Sequence, residues 1–152
     1  MPAFLLDPAT AAIVAAVVGL CVGSFLNVVI HRLPKMLERR WRPERAELAG
    51  TLPPPPERYD LVKPRSACPQ CGHMIPAIEN IPLASYIALR GKCSHCGAAI
   101  SLRYPVVEAL SGALAGYIAW RYGLSATALG ALLFAWAMIA LAFIDLDTFY
   151  LP

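Results

Sequence analysis

CPQCGHMIPAIENIPLASYIALRGKCSHC, residues 68–96, carries two Cys-x-x-Cys pairs, Cys68/Cys71 and Cys93/Cys96, with 21 residues between them. Each pair is followed by a glycine, Gly72 and Gly97, so that CPQCGHMI and CSHCGAAI are near-copies. This is the pattern of a treble-turn zinc ribbon. Each Cys-x-x-Cys forms a tight turn presenting two thiolates, and the glycine after it lets the chain turn back with its amides facing the sulfurs. Four thiolates complete a tetrahedral site with no open position, which makes a zinc ion held by Cys68, Cys71, Cys93 and Cys96 structural rather than catalytic. Two disulfides or a redox-active pair are the other chemistries open to such cysteines.

Composition places the ribbon in an unusual setting. The 152-residue chain is 58% hydrophobic and only 15% charged, against about 25% charged for a soluble domain, so it reads as a membrane protein. Of 13 Lys and Arg residues, 12 lie between Arg32 and Arg103, and Arg121 alone falls outside. That basic stretch also holds six acidic residues and no interleaved aromatic platform. A membrane-proximal cytoplasmic loop therefore fits better than a nucleic-acid surface, and no nucleic-acid partner is expected. In the reducing cytoplasm structural disulfides are rare, which favours zinc over bridges.

Residues 9–30 are 22 consecutive uncharged residues, enough at about 1.5 Å per residue to span a hydrocarbon core of ~30 Å. Asp7 is the only charge before the run, whereas Arg32, Lys35, Arg39, Arg40, Arg42 and Arg45 follow it. A cleaved signal peptide has the opposite polarity, so residues 9–31 are predicted to be a retained first transmembrane helix with a periplasmic N-terminus. Gly19 and Gly23 permit close approach of another membrane helix. Asn27 near the cytoplasmic end reads first as an interfacial amide packing helices together, and second as a polar patch facing substrate or partner. Cys21 reads as a small packing residue.

Residues 32–66 are expected to form a basic, proline-rich cytoplasmic linker whose first part can continue the helix and whose four consecutive prolines, 53–56, form an extended spacer. Residues 67–104 make the ribbon domain, with a short amphipathic strand or helix between the cysteine pairs and a turn at Gly91. Residues 105–121 are predicted as a second transmembrane helix, opened by Pro105 and with Gly112 and Gly116 as a second close-approach face. Only 12 uncharged residues separate Glu108 from Arg121, so this span is short. Residues 122–144 form the third. Alternating crossings then deliver Asp145 and Asp147, in residues 145–152, to the cytoplasmic face that carries the ribbon. The expected fold is a polytopic α-helical membrane protein with three spans and a small cytoplasmic zinc ribbon inserted after the first.

Three separated stretches together resemble the bacterial type IV prepilin peptidases: GSFLNVVIHRLP (residues 23–34), the ribbon leading into SLRYPVVEALSG (residues 101–112), and FIDLDTFYLP (residues 143–152). The resemblance covers nearly the whole chain, in the family's order. It implies a multi-pass bacterial inner-membrane aspartic protease of the GxGD type. Such enzymes cleave the leader from type IV prepilins and type II secretion pseudopilins at the cytoplasmic face. Most also methylate the new N-terminus using S-adenosylmethionine. By position, the four cysteines match the family's zinc ligands. Asp145 matches its first catalytic aspartate, ahead of Leu151-Pro152, while Asp147 belongs to the motif but fits the catalytic position less well.

The family's second aspartate, in a GxGD segment, has no counterpart in these residues, so the chain reads as an N-terminal portion, expected to be inactive as a peptidase alone. An aspartic protease needs two carboxylates close enough to share a proton. Asp145 and Asp147 are two apart and do not face each other on a helix, which leaves Glu108 as the other carboxylate expected at this depth. The alternative from a different class is a membrane-anchored zinc-ribbon adaptor without catalysis. No glycine-rich loop for S-adenosylmethionine is visible.

Overall fold

The computed structural model describes residues 7–52 and 58–149; the proline spacer and Leu151-Pro152 lie outside them. The first element, α1, runs from Pro8 to Leu48 without interruption. Asp7 caps it by accepting a hydrogen bond from the Thr10 amide at 3.0 Å, with Pro8 in the first turn where its missing N–H costs nothing. The helix does not stop where the charges begin. Pro34 and Pro43 both lie inside it, and the Leu, Met, Glu, Arg and Ala residues around them favour helix strongly. At about 1.5 Å per residue α1 is ~62 Å long, roughly twice a hydrocarbon core. It ends at Ala49 and Gly50, where Gly50 has φ +65° and the Thr51 amide closes back on the Ala46 carbonyl at 2.9 Å.

Between the cysteine pairs the chain forms one 3₁₀ turn, Ala77–Asn80, and a short helix, α2, Ala84–Ala88. Helix α3 spans Arg103–Tyr122 and stops at Gly123, φ +62°. Ser125 caps α4, Ala126–Thr148, by accepting from the Ala128 amide at 3.1 Å. Relative to the predicted run 122–144, α4 starts later, at its cap, and continues past Ile144. Asp145 and Asp147 therefore sit in its last turn rather than after it.

α1 and α3 pack antiparallel through the two glycine faces. A methyl group placed on Gly19 would lie 2.6 Å from Ala115 Cβ and 2.7 Å from the Ser111 carbonyl oxygen, and one on Gly23 would lie 2.7 Å from Glu108 Cα. On the facing helix, Gly112 meets the Leu20 side chain and Gly116 meets Ala16. The absent side chains are what allow backbone to approach backbone. Ser111, fully buried, uses that proximity to donate its hydroxyl to the Gly19 carbonyl at 2.6 Å. α4 leans on the pair through Ile139, Ala140 and Ile144, which join Leu26, Ile30 and Val107 in one core cluster.

Asn27 is buried in this interface and donates its amide to the Tyr104 carbonyl at 3.1 Å, so it ties α1 to the start of α3. Cys21, read from sequence as a packing residue, instead lies exposed on the outer side of α1. Among the described residues two helices, α1 and α4, are long and apolar enough to cross a membrane. α3 carries Arg103, Glu108 and Arg121 within its 20 residues, which dilute its apolar character.

Candidate functional site

Two centres lie toward one end of the helices. The first is the cysteine cluster. In each knuckle the cysteine amide bonds across the turn, Cys68 to the His73 carbonyl at 2.9 Å and Cys93 to the Ala98 carbonyl at 2.8 Å. The glycine amide returns to the first cysteine, Gly72 to Cys68 at 2.9 Å and Gly97 to Cys93 at 3.0 Å. Gly72 and Gly97 have φ of +71° and +72°, a conformation that favours glycine over residues with a Cβ. A bridge pairs Ala67 with Met74 in one knuckle and Lys92 with Ala99 in the other. Gly91, φ +66°, makes the turn before Cys93, packed so that a Cβ would meet the Tyr86 hydroxyl at 2.7 Å.

These two turns bring all four sulfurs within 4.8 Å of one another. Cys68 Sγ and Cys96 Sγ are 3.8 Å apart, and a tetrahedron with metal–sulfur bonds of about 2.3 Å has edges of about 3.8 Å. The donors respond to one another. The Cys71 and Gln70 amides draw the Cys68 thiol down to about 6. At Cys71 the His73 amide pulls down too, but burial and the sulfurs of Cys96, Cys68 and Cys93 outweigh it and push that thiol up to about 12. Four sulfurs this close cannot all ionise without a cation among them. No disulfide joins them, and the set fits a metal ion such as zinc.

The second centre is the end of α4. Asp147 pairs with Arg103, the first residue of α3, whose guanidinium also lies 5.2 Å from the Tyr104 ring. Asp145 is exposed. Among the described residues its carboxylate has neither hydrogen bond nor ion pair, and only its backbone carbonyl is engaged, by the Phe149 amide at 2.7 Å. Glu108, which sequence offered as a neighbour for Asp145, is occupied elsewhere. It is buried between α1 and α3 and accepts the Leu83 amide at 2.9 Å, holding the segment between the cysteine pairs against the helices. The structure thus brings the four cysteines together but does not bond Asp145 to Asp147 or to Glu108.

The model of the bacterial peptidase A24 N-terminal domain matches residues 17–122, from the glycine face of α1 through the ribbon to the end of α3. The chain belongs to this family. It is 55% identical over 135 residues, 88% of the chain and 47% of the relative, to a prepilin leader peptidase/N-methyltransferase of Pseudomonas aeruginosa. A protein of the same description from Pseudomonas putida is 51% identical over 147 residues, covering 97% of this chain and 51% of its own. One from Neisseria gonorrhoeae is 51% identical over 140 residues, with shares of 91% and 49%. The chain spans about half the length of these curated relatives. No solved structure matches it.

Three tertiary contacts near these centres have no direct counterpart in the sequence motifs. Arg32 is buried and donates to the carbonyls of Asp60 at 2.9 Å and Pro64 at 2.6 Å, clasping the segment before the ribbon onto α1. Glu108 holds Leu83, and Arg103 holds Asp147. Only the last had a usable signal. An arginine opening a helix and an aspartate closing one each oppose their own helix dipole, and such placements call for a partner.

Proposed function

We propose that this chain is the N-terminal part of a membrane-embedded prepilin peptidase in which Asp145 is one of two catalytic aspartates and a zinc ion organises the cytoplasmic ribbon. The observation that carries the reading is the state of the α4 end. Both aspartates are exposed, but Asp147 is engaged by Arg103, whereas the Asp145 carboxylate has neither hydrogen bond nor ion pair among the described residues. The names of the relatives support the peptidase class, and the apolar residues facing outward on α1 and α4, such as Val17, Phe25, Leu133 and Phe134, support a lipid setting.

α1 and α4 cross the bacterial inner membrane, and α3, locked to α1 by its glycine face, crosses with them. The N-terminus is then periplasmic and the ribbon cytoplasmic. The zinc is held by Cys68, Cys71, Cys93 and Cys96; it supplies a closed structural node and no reaction step. Asp145 shares a proton with a second aspartate supplied from outside these 152 residues. One carboxylate takes a proton from the attacking water while the other, protonated, polarises the scissile carbonyl of a prepilin or pseudopilin leader. S-adenosylmethionine belongs to the methyltransferase half of the relatives' name. A cavity of about 230 Å³, lined by Val14, Ala115, Leu132 and Trp136 among others, is apolar.

In the full-length protein Asp145→Asn should abolish leader cleavage, since the isosteric amide cannot share the proton, with protein level and zinc content unchanged. Asp147→Asn should be milder. Full cleavage by Asp145→Asn, followed by gel shift of a prepilin in membranes, would remove Asp145 from the catalytic pair, and absence of cleavage by the unsubstituted full-length protein would return the chain to a zinc-ribbon adaptor without chemistry.

A further inference from the structure

We propose that Arg103 and Asp147 form a positioning pin that sets the rotation of the α4 end and so turns Asp145 toward its reaction partner; this rests on the role given to Asp145 above. Arg103 is the first residue of α3, directly after the ribbon, and Asp147 lies in the last turn of α4. Their ion pair joins elements 44 residues apart in sequence. Two steps along a helix turn the side chain by roughly 200°, so holding Asp147 against α3 sends Asp145 to the opposite side of α4; both residues are exposed, and of the two only Asp147 is paired.

The two charges are also complementary to the ends they meet. Arg103 sits at the positive N-terminus of its own helix but beside the negative C-terminus of α4, and Asp147 has the reverse arrangement. Neither helix supplies an alternative of its own, because the first turn of α3 has no acidic residue and the last turn of α4 no basic one. The Arg103 side chain is 20% exposed and that of Asp147 34%, so water competes for the pair mainly from the aspartate side. The other charged groups near this end are on α1: His31, Arg32 and Lys35, and, further along, Glu38 and Arg45, which line a pocket with Ile144 and Thr148. Arg32 is committed to the Asp60 and Pro64 carbonyls, and Lys35 lies 2.8 Å from the His31 ring. Glu108 on α3 is committed to Leu83. Arg103 is the cation paired with Asp147, and through that pair it fixes the azimuth of Asp145.

The test is a double-mutant cycle in the full-length protein in membranes, with cleavage of a prepilin as readout and Asp145→Asn as the control. Arg103→Gln and Asp147→Asn should each lower kcat by about 10- to 100-fold with KM and zinc content near wild type, the scale of a displaced catalytic group. The Arg103→Gln/Asp147→Asn double variant should be no worse than either single one, because one interaction is lost in all three. Arg103→Lys should retain most activity, and the exchanged pair Arg103→Asp/Asp147→Arg should recover it, since each charge then also suits its own helix dipole. Wild-type kcat in Arg103→Gln, or losses that multiply in the double variant, would overturn the pin. Should the single variants lose zinc or fail to accumulate, the exchanged pair decides: recovery supports the pin, and continued loss refutes it. An active Asp145→Asn control would instead refute the role of Asp145 itself, whatever Arg103 does.

Discussion

The ribbon and the α1/α3 pair are held together by opposite means. Of residues 58–102, only Cys68 and Gly91 are buried, while Ile78, Ile87 and Leu102 stand more than two-thirds exposed. The ribbon has almost no apolar core, and its order comes from backbone turns converging on four sulfurs. In the helical pair Val107, Ser111 and Ala115 are completely buried, and order comes from surfaces so close that side chains had to be removed to make them. With zinc on its four sulfurs, as proposed, the ribbon depends on an ion, and the pair on the absence of a few carbon atoms. Each should fail without the other failing first.

The largest effect should come from the metal. Structural zinc sites are worth on the order of 10–16 kcal/mol near neutral pH, far more than the ribbon's buried surface can replace. Cys68→Ser or Cys93→Ser should abolish zinc binding and make residues 58–102 sensitive to limited proteolysis, while helical circular dichroism of the protein in detergent persists. If the ribbon stays protease-resistant and metal-free, the division between the two regions is wrong.

Next is the helix contact. Gly23→Leu must displace the α3 backbone rather than a flexible side-chain end, and overpacking of this kind costs about 1–3 kcal/mol. Its signature is a lower thermal midpoint in detergent with zinc content retained. Gly130 is the internal control, because nothing lies within 4 Å of a Cβ there. Gly130→Ala should be neutral or stabilise α4 by up to about 1 kcal/mol. Equal effects from both substitutions would show that the α1/α3 glycines are not contact residues.

The smallest effect lies in the segment leading into the ribbon. The Asp60 carboxylate accepts the Lys63 amide at 2.6 Å and the Val62 amide at 2.8 Å, and these with Arg58 hold it down at about 2. A carboxyl depressed on folding contributes above its unfolded value of about 4 and loses that contribution as pH falls through about 2. Protection of the Val62 and Lys63 amides from hydrogen exchange should hold at pH 5 and decline toward pH 2, without touching α1 or α3. Asp60→Asn should flatten that dependence; an unaltered profile would remove Asp60 from the turn.

What could be read from residues alone follows the same divide. The two knuckles were legible because Cys-x-x-Cys-Gly writes its own turn, and the paired glycine faces were legible because a four-residue interval is a helical neighbourhood. The end of α1 was not. Pro34, Pro43 and a run of charges look like a boundary, yet the intervening residues are good helix formers and the helix runs to Leu48. Glu108 looked like a candidate partner for Asp145 because depth in the membrane was its only known coordinate. Its actual partner, the Leu83 amide, is backbone and leaves no mark on the sequence. The Arg103–Asp147 pair was hidden by distance along the chain, although the misplaced charge at each helix end marked both residues.

The extension of α1 has a consequence for how this protein tolerates changes in length. Arg32 and Arg39 lie two helical turns apart and both approach the ring of Tyr59, at 5.9 Å and 4.2 Å from its centre. The ring thus works like a vernier, reading the register of one stretch of helix against the returning chain. A single residue inserted between the two arginines rotates one away from the other by about 100° and takes a cation off the ring. The same insertion beyond Arg39 leaves both readings intact. Evolution should find the outer arm of α1 freely adjustable and the portion between Arg32 and Arg39 closed to insertion or deletion.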